Sequence, residues 1–171
     1  IPNRQTHRLR TNDYKKILPI GKKLYDLSVL VTGGLTYNGL TKLHFFDRKK
    51  KKSTDKTPSI DGKYYIENIF PIYLEHFRAH NLKYFQQDGA RPHTKASNVV
   101  IIKNEIGADN LLKWPANSPD LNPIENLWSI MQQKIDARKP QPSSTQQLLE
   151  AVQYEWDNIN PDVIKKLVTS F

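Results

Sequence analysis

The amino-acid sequence predicts a three-layer α/β domain built on a mixed sheet. Runs rich in β-branched residues alternate along the chain with segments whose apolar residues recur at helical spacing. Strands mixed with crossover helices along the chain imply at least one parallel pair. A chain of 171 residues, 37% hydrophobic with three Trp, eight Tyr and six Phe, can enclose one core.

Taken in order, residues 1–25 are polar and basic with little periodicity; they read as loop, with room for one short strand. "LSVLVTGGLT" (27–36) is a buried strand broken by a tight turn at Gly33-Gly34, and "LTKLHFF" (40–46) is the next, joined through Tyr37-Asn38-Gly39. The Asn-Gly pair marks a hairpin whose two central positions take positive φ. Residues 47–62 form a basic, lysine-rich loop, in most proteins merely solvated, otherwise a phosphate contact or nuclear-import signal. From Asp61, a plausible N-cap, apolar residues at 65, 66, 69, 72, 73 and 77 share one helical face, which Pro71 kinks or breaks.

"LKYFQQ" (82–87) is a short strand ending at Asp88, followed by a turn over Gly89–Pro92 and a helix over 93–106 closed by Gly107. "NLLKW" (110–114) is a further strand, and 115–123 a Pro-rich loop. The helix from Ile124 places Leu127, Ile130, Met131 and Ile135 on one face. After a Pro/Ser loop, residues 140–171 supply C-terminal helices, the last opened by Pro161. No repeat is visible, and the whole of 1–171 reads as a single domain.

Composition narrows function. Without cysteine, disulfides and thiolate metal sites are excluded. No apolar run approaches the roughly 18 residues of a membrane span, so no membrane partner is expected. Lys and Arg outnumber Asp and Glu by 26 to 17, a formal +9 that favours a polyanion such as nucleic acid.

Acids at the carboxyl ends of α/β strands are where ligand sites form. Asp88 stands there, with Arg91, His93 and Lys95 just beyond, and Glu125 follows in "SPDLNPIENLW" with Asp120 nearby. A helix, strand and loop between Asp88 and Glu125 can return both to one sheet edge. Oxygen donors without cysteine suit Mg²⁺ or Mn²⁺ better than zinc. Each residue has a plainer reading. Asp88 can be a turn acid before Gly89. Asn122-Pro123-Ile124-Glu125 has the spacing of a capping box. Arg91 and His93 can be surface residues, and Trp114 and Trp128 packing residues.

"YFQQDGARPHTKAS" followed by "LLKWPANSPDLNPIENLWSIMQQKI" resembles the catalytic core of mariner-superfamily transposases, in the Tc-like branch. "LVTGGLTYNGLTKLHF" resembles that family's Gly-rich strand pair and "EWDNINPDVIKKLVTSF" its C-terminal helices, so the likeness covers most of the chain. The resemblance implies a ribonuclease-H-like DDE endonuclease domain, whose triad of acids binds two divalent metals, Mg²⁺ or Mn²⁺. It implies cleavage at transposon ends and strand transfer into target DNA at TA, in the nucleus, by an enzyme that can be a homodimer. By the same resemblance Asp88 is the second acid and Glu125 the third, both catalytic metal ligands. Asp120 is structural, His93 lies near the phosphate or behind the ligands, and Arg91, His93 and Lys95 face DNA.

The chain departs from that pattern at its start. The first triad acid belongs on a first, central strand, and neither Asp13 nor Asp26 has a matching context. That acid is expected upstream of Ile1, the first strand is expected to be missing with its neighbours left as bare edges, and the end-recognising helix-turn-helix region is absent. The expectation is an incomplete transposase core, inactive alone. The alternatives are a non-catalytic nucleic-acid-binding remnant of a transposon, a relic without function, and a ribonuclease-H-type nuclease of RNA–DNA hybrids.

Overall fold

The computed structural model describes the backbone of residues 7–10 and, beyond them, residues 27–46, 60–115, 118 and 121–170. The expected basic loop lies outside these up to residue 59, as do Asp13, Asp26 and Asp120. A three-stranded sheet has the order β1 (His7–Arg10), β2 (Ser28–Thr32), β5 (His44–Phe46). Both pairings are antiparallel, with Leu9 opposite Val29 and Leu30 opposite Phe46. β2 is thus paired on both sides, by β1 and by β5.

Alternation along β2 sets the core. Val29 and Val31 face a cluster with Leu127, Trp128, Met131 and Ile135 of α5 (Pro123–Asp136), with α6 (Thr145–Asp157), and with Ile164 of α7 (Pro161–Thr169). Leu30 faces the opposite cluster, with Phe46, Tyr65, Ile69, Phe70, Phe77, Ile102 and Ile106. Helices cover both faces of the sheet, because a strand buried on both sides needs apolar partners on both. Trp128 stacks on Trp156, ring centroids 5.2 Å apart, and occupies the buried position expected of Ile130, which sits at the rim.

Between β2 and β5 a small ribbon pairs β3 (Leu35–Thr36) with β4 (Gly39–Leu40). Its two-residue loop is Tyr37-Asn38, not Asn38-Gly39; the positive φ falls on Gly39 (135°). Gly33 and Gly34 likewise serve another purpose than a positive-φ turn. A Cβ on Gly33 would sit 2.7 Å from Trp156 Cη2, and one on Gly34 would sit 2.8 Å from Thr41 Cγ2. Close approach, rather than chain reversal, demands glycine here.

Asp61 caps α1 (Gly62–Tyr64), accepting from the Tyr64 N–H at 2.8 Å. A wide π-helical turn over Tyr65–Ile69 follows, then α2 (Phe70–Ala79). Pro71 is the cause: it lacks an N–H and crowds the preceding turn, so the helix widens and Phe70 N–H bonds back to Tyr65 O.

The expected strands 82–87 and 110–114 are reduced to one parallel bridge, Phe85 to Leu111, bonded through Phe85 N to Asn110 O (2.8 Å) and Leu112 N to Phe85 O (2.9 Å). The parallel pairing is real, but a single bridge is too little to build a ladder. The helix expected over 93–106 begins earlier and is broken. Pro92 starts a short turn, α3 (Arg91–Thr94), and Lys95 with ψ 125° interrupts it before α4 (Ala96–Ile106). A Pro at the first turn is preorganised for helix, which places His93 inside it.

Candidate active site

Asp88 lies three residues past the Phe85 bridge, where extended backbone gives way to α3. Its Oδ1 accepts the Ala90 N–H at 3.1 Å, a side-chain turn that starts the reversal toward the helix. The same oxygen lies 2.6 Å from His93 Nδ1, and both side chains are only 20% exposed. An ionised carboxylate only accepts, so Nδ1 carries the hydrogen and donates. Asp88 is thus a turn acid and remains a candidate ligand: both bonds from the described residues fall on Oδ1.

Glu125 stands in the first turn of α5, its N–H bonded to Asn122 O at 3.0 Å. The Asn122 side chain makes no capping bond, so that half of the expected capping box is not formed. Extended φ/ψ at Asn122 and Pro123 after it start the helix by backbone geometry instead. Burial first, and then the Asp88 charge, push the Glu125 carboxyl up to about 7. The fold therefore brings Asp88 and Glu125 into one electrostatic environment. Like charges in a partly desolvated place disfavour double ionisation, and a cation between them would reverse both effects.

Two phenols close the inner side. Tyr65 is 1% exposed, packs its ring 4.5 Å from the His93 ring and donates to Gln87 Oε1 at 3.0 Å. Gln87 Nε2 in turn donates to His93 O at 3.3 Å. Tyr73 donates to Gly33 O at 3.4 Å; burial, and less so the Asp88 charge, raise its hydroxyl to about 12. Tyr65 and Tyr73 read in the sequence only as members of a core helical face. The local pattern held no sign that the Tyr65 hydroxyl reaches Gln87 or that Tyr73 feels the Asp88 charge.

The cationic neighbours divide. Arg91 and Lys95 are exposed around α3, while His93 is turned inward onto Asp88 and Tyr65. Trp114 is half-buried and Trp128 buried. Among the described residues no group of three or more His, Cys, Asp or Glu side chains is placed to hold a metal ion. The donor chemistry of Asp88 and Glu125 fits a hard divalent cation as one part of a larger ligand set. A depression of about 510 Å³ beside Arg138, Pro140 and Tyr154 contains neither acid.

A sheet covered by helices on both faces, with Asp88 just past the parallel bridge and Glu125 within reach of its charge, is consistent with an α/β nuclease domain. Comparison with known proteins makes the class specific: the profile of the DDE superfamily endonuclease family matches residues 48–148. The chain belongs to that family, and its DDE domain is of the Tc1/mariner type. It is 35% identical over 129 residues to the transposable element Tc3 transposase of Caenorhabditis elegans, covering 73% of this chain and 38% of that protein. To the Tc1 transposase of the same organism it is 31% identical over 115 residues, 66% of this chain and 41% of the relative. The Tcb1 transposase of Caenorhabditis briggsae is 31% identical over 86 residues, half of this chain and 30% of that protein. The chain thus spans about two fifths or less of the relatives it matches, and what it shares with them is a transposase catalytic core. DDE endonuclease domains depend on a divalent metal, generally Mg²⁺.

Proposed function

We propose that this chain is the ribonuclease-H-like core of a transposase that cuts transposon ends and joins them to target DNA in the nucleus. Asp88 and Glu125 serve as two of its metal-binding acids. The observation that carries the reading is that Glu125, 37 positions from Asp88, lies within reach of its charge: burial first, and then Asp88, raise the Glu125 carboxyl to about 7. Two divalent ions, Mg²⁺ or Mn²⁺, supply activation of the attacking oxygen and stabilisation of the leaving one in this chemistry.

The chain's own residues do the rest. His93 and the Ala90 N–H hold Asp88 Oδ1, so Oδ2 is the oxygen offered to a cation. Glu125 is carried on the rigid first turn of α5, and with its carboxyl raised to about 7 a bound cation would favour its ionised form. Arg91 and Lys95 are exposed next to Asp88 and hold DNA phosphates. Two acids are fewer than the usual ligand set of a divalent ion, so further ligands complete the site.

The test is the melting temperature at pH 8 with and without Mg²⁺, for the parent, Asp88→Asn and Glu125→Gln. The ion should stabilise the parent and act on neither variant. An equal response in all three refutes the assignment. In parallel, supercoiled plasmid with Mn²⁺ tests activity: cutting that Asp88→Ala abolishes would show the chain competent by itself.

A further inference from the structure

Behind Asp88 lies a chain of contacts that the proposed reaction does not itself require. Tyr65 is the first residue of the π-helical turn before Pro71, and its side chain lies at the acid-bearing segment. From this one buried residue two contacts diverge. The phenol ring packs against the His93 imidazole at 4.5 Å, and the hydroxyl donates to Gln87 Oε1 at 3.0 Å. Gln87 returns its amide to the His93 carbonyl at 3.3 Å, so the ring and the backbone of His93 are both held. His93 then reaches Asp88 Oδ1 at 2.6 Å.

We infer that Tyr65 is a positioning residue. Acting through Gln87 and His93, it fixes the Nδ1–H tautomer of the imidazole and so determines which Asp88 oxygen is offered to a cation. An acceptor-only carboxylate selects the Nδ1–H form, but only while the ring is held at bonding distance. A ring free to rotate can present either nitrogen, and Asp88 loses its second anchor. Outer contacts of this kind orient ligands whose own geometry is otherwise soft. The inference rests on Asp88 being a metal ligand for its consequence, but not for the geometry itself.

Two measurements on the 171-residue chain separate those layers. The first needs no metal. A long-range ¹H–¹⁵N spectrum of the parent should show His93 as the single Nδ1–H tautomer, and Tyr65→Phe should show mixed tautomers. Phe keeps the ring, so a purely packing role for Tyr65 would leave the spectrum unchanged, and that result overturns the inference. If Tyr65→Phe melts well below the parent, Gln87→Met, which cuts the same connection from the half-buried partner, takes its place under the same criterion.

The second measurement is Mn²⁺ binding by calorimetry. Tyr65→Phe should weaken it by about 3–10-fold, below the roughly 10–100-fold typical of a direct outer contact, and Asp88→Asn should weaken it further. Unchanged Mn²⁺ affinity in Tyr65→Phe together with mixed tautomers would overturn the link from tautomer to ligand. A parent that does not bind Mn²⁺, or binds it equally in Asp88→Asn, refutes the metal reading, while the tautomer spectrum still decides whether Tyr65 positions His93.

Discussion

Replacing Glu125 by Gln should stabilise the metal-free protein at pH 8. The side chain keeps its shape but loses a charge that the fold disfavours, first by burial and then through Asp88. The sign follows from the direction of the shift. The folded carboxyl titrates at about 7, above its ordinary 4.5, so the folded state carries no penalty below 4.5. The penalty grows across that window and is complete above 7. Glu125 is only half-buried, and after allowance for solvent screening the penalty is about 1–2 kcal/mol. For a domain of this size that corresponds to about 2–8 °C in melting temperature. Thermal melts of parent and Glu125→Gln in a chelating buffer at pH 4 and pH 8 are the assay. The variant should melt higher at pH 8 and within about one degree of the parent at pH 4. No gain at pH 8, or an equal gain at both, would mean that the folded state does not raise the Glu125 carboxyl.

Other outcomes follow from the same structure. Asp88→Asn should lower the Glu125 titration midpoint below about 7 while burial keeps it above 4.5, readable by ¹³C carboxyl titration. Gly33→Ala should cost about 1–3 kcal/mol in denaturant unfolding, because its Cβ would lie 2.7 Å from a Trp156 ring that is itself packed on Trp128. Met131→Ala, at a fully buried position, should cost about 2–5 kcal/mol. Arg91→Ala and Lys95→Ala should each reduce the slope of log affinity against log salt for duplex DNA by about one, with folding unchanged. An unaltered slope would remove them from the DNA-facing surface.

Much of the site could be read along the chain. Asp88 is marked by its place at the end of an apolar run and by the cations after it, and Glu125 by the Pro-rich entry to a helix. Both signals are local, and the resemblance to transposase cores gave them their weight. The helices were legible for the same reason. Spacing at 3.6 residues, Asp61 and Pro161 at helix starts, and Gly107 at an end are statements about neighbours in sequence.

What the neighbours cannot state is who arrives from elsewhere. Gly33-Gly34 looks like a turn until Trp156, 123 positions away from Gly33, is seen pressing on it. The segment 82–87 has the pattern of a strand, but a strand exists only by pairing, and here Phe85 finds one bridge. Tyr65 was legible as core, and only the fold shows its hydroxyl on Gln87 and its ring on His93. The sequence by itself determined where most helices lie and the basic excess of charge, since those follow from local chemistry and composition, and it marked Asp88 and Glu125 as candidates. Tertiary structure alone decided that Glu125 feels the charge of Asp88, which oxygen of Asp88 is held, and why glycine stands at 33, because each depends on distances that the chain closes only when folded.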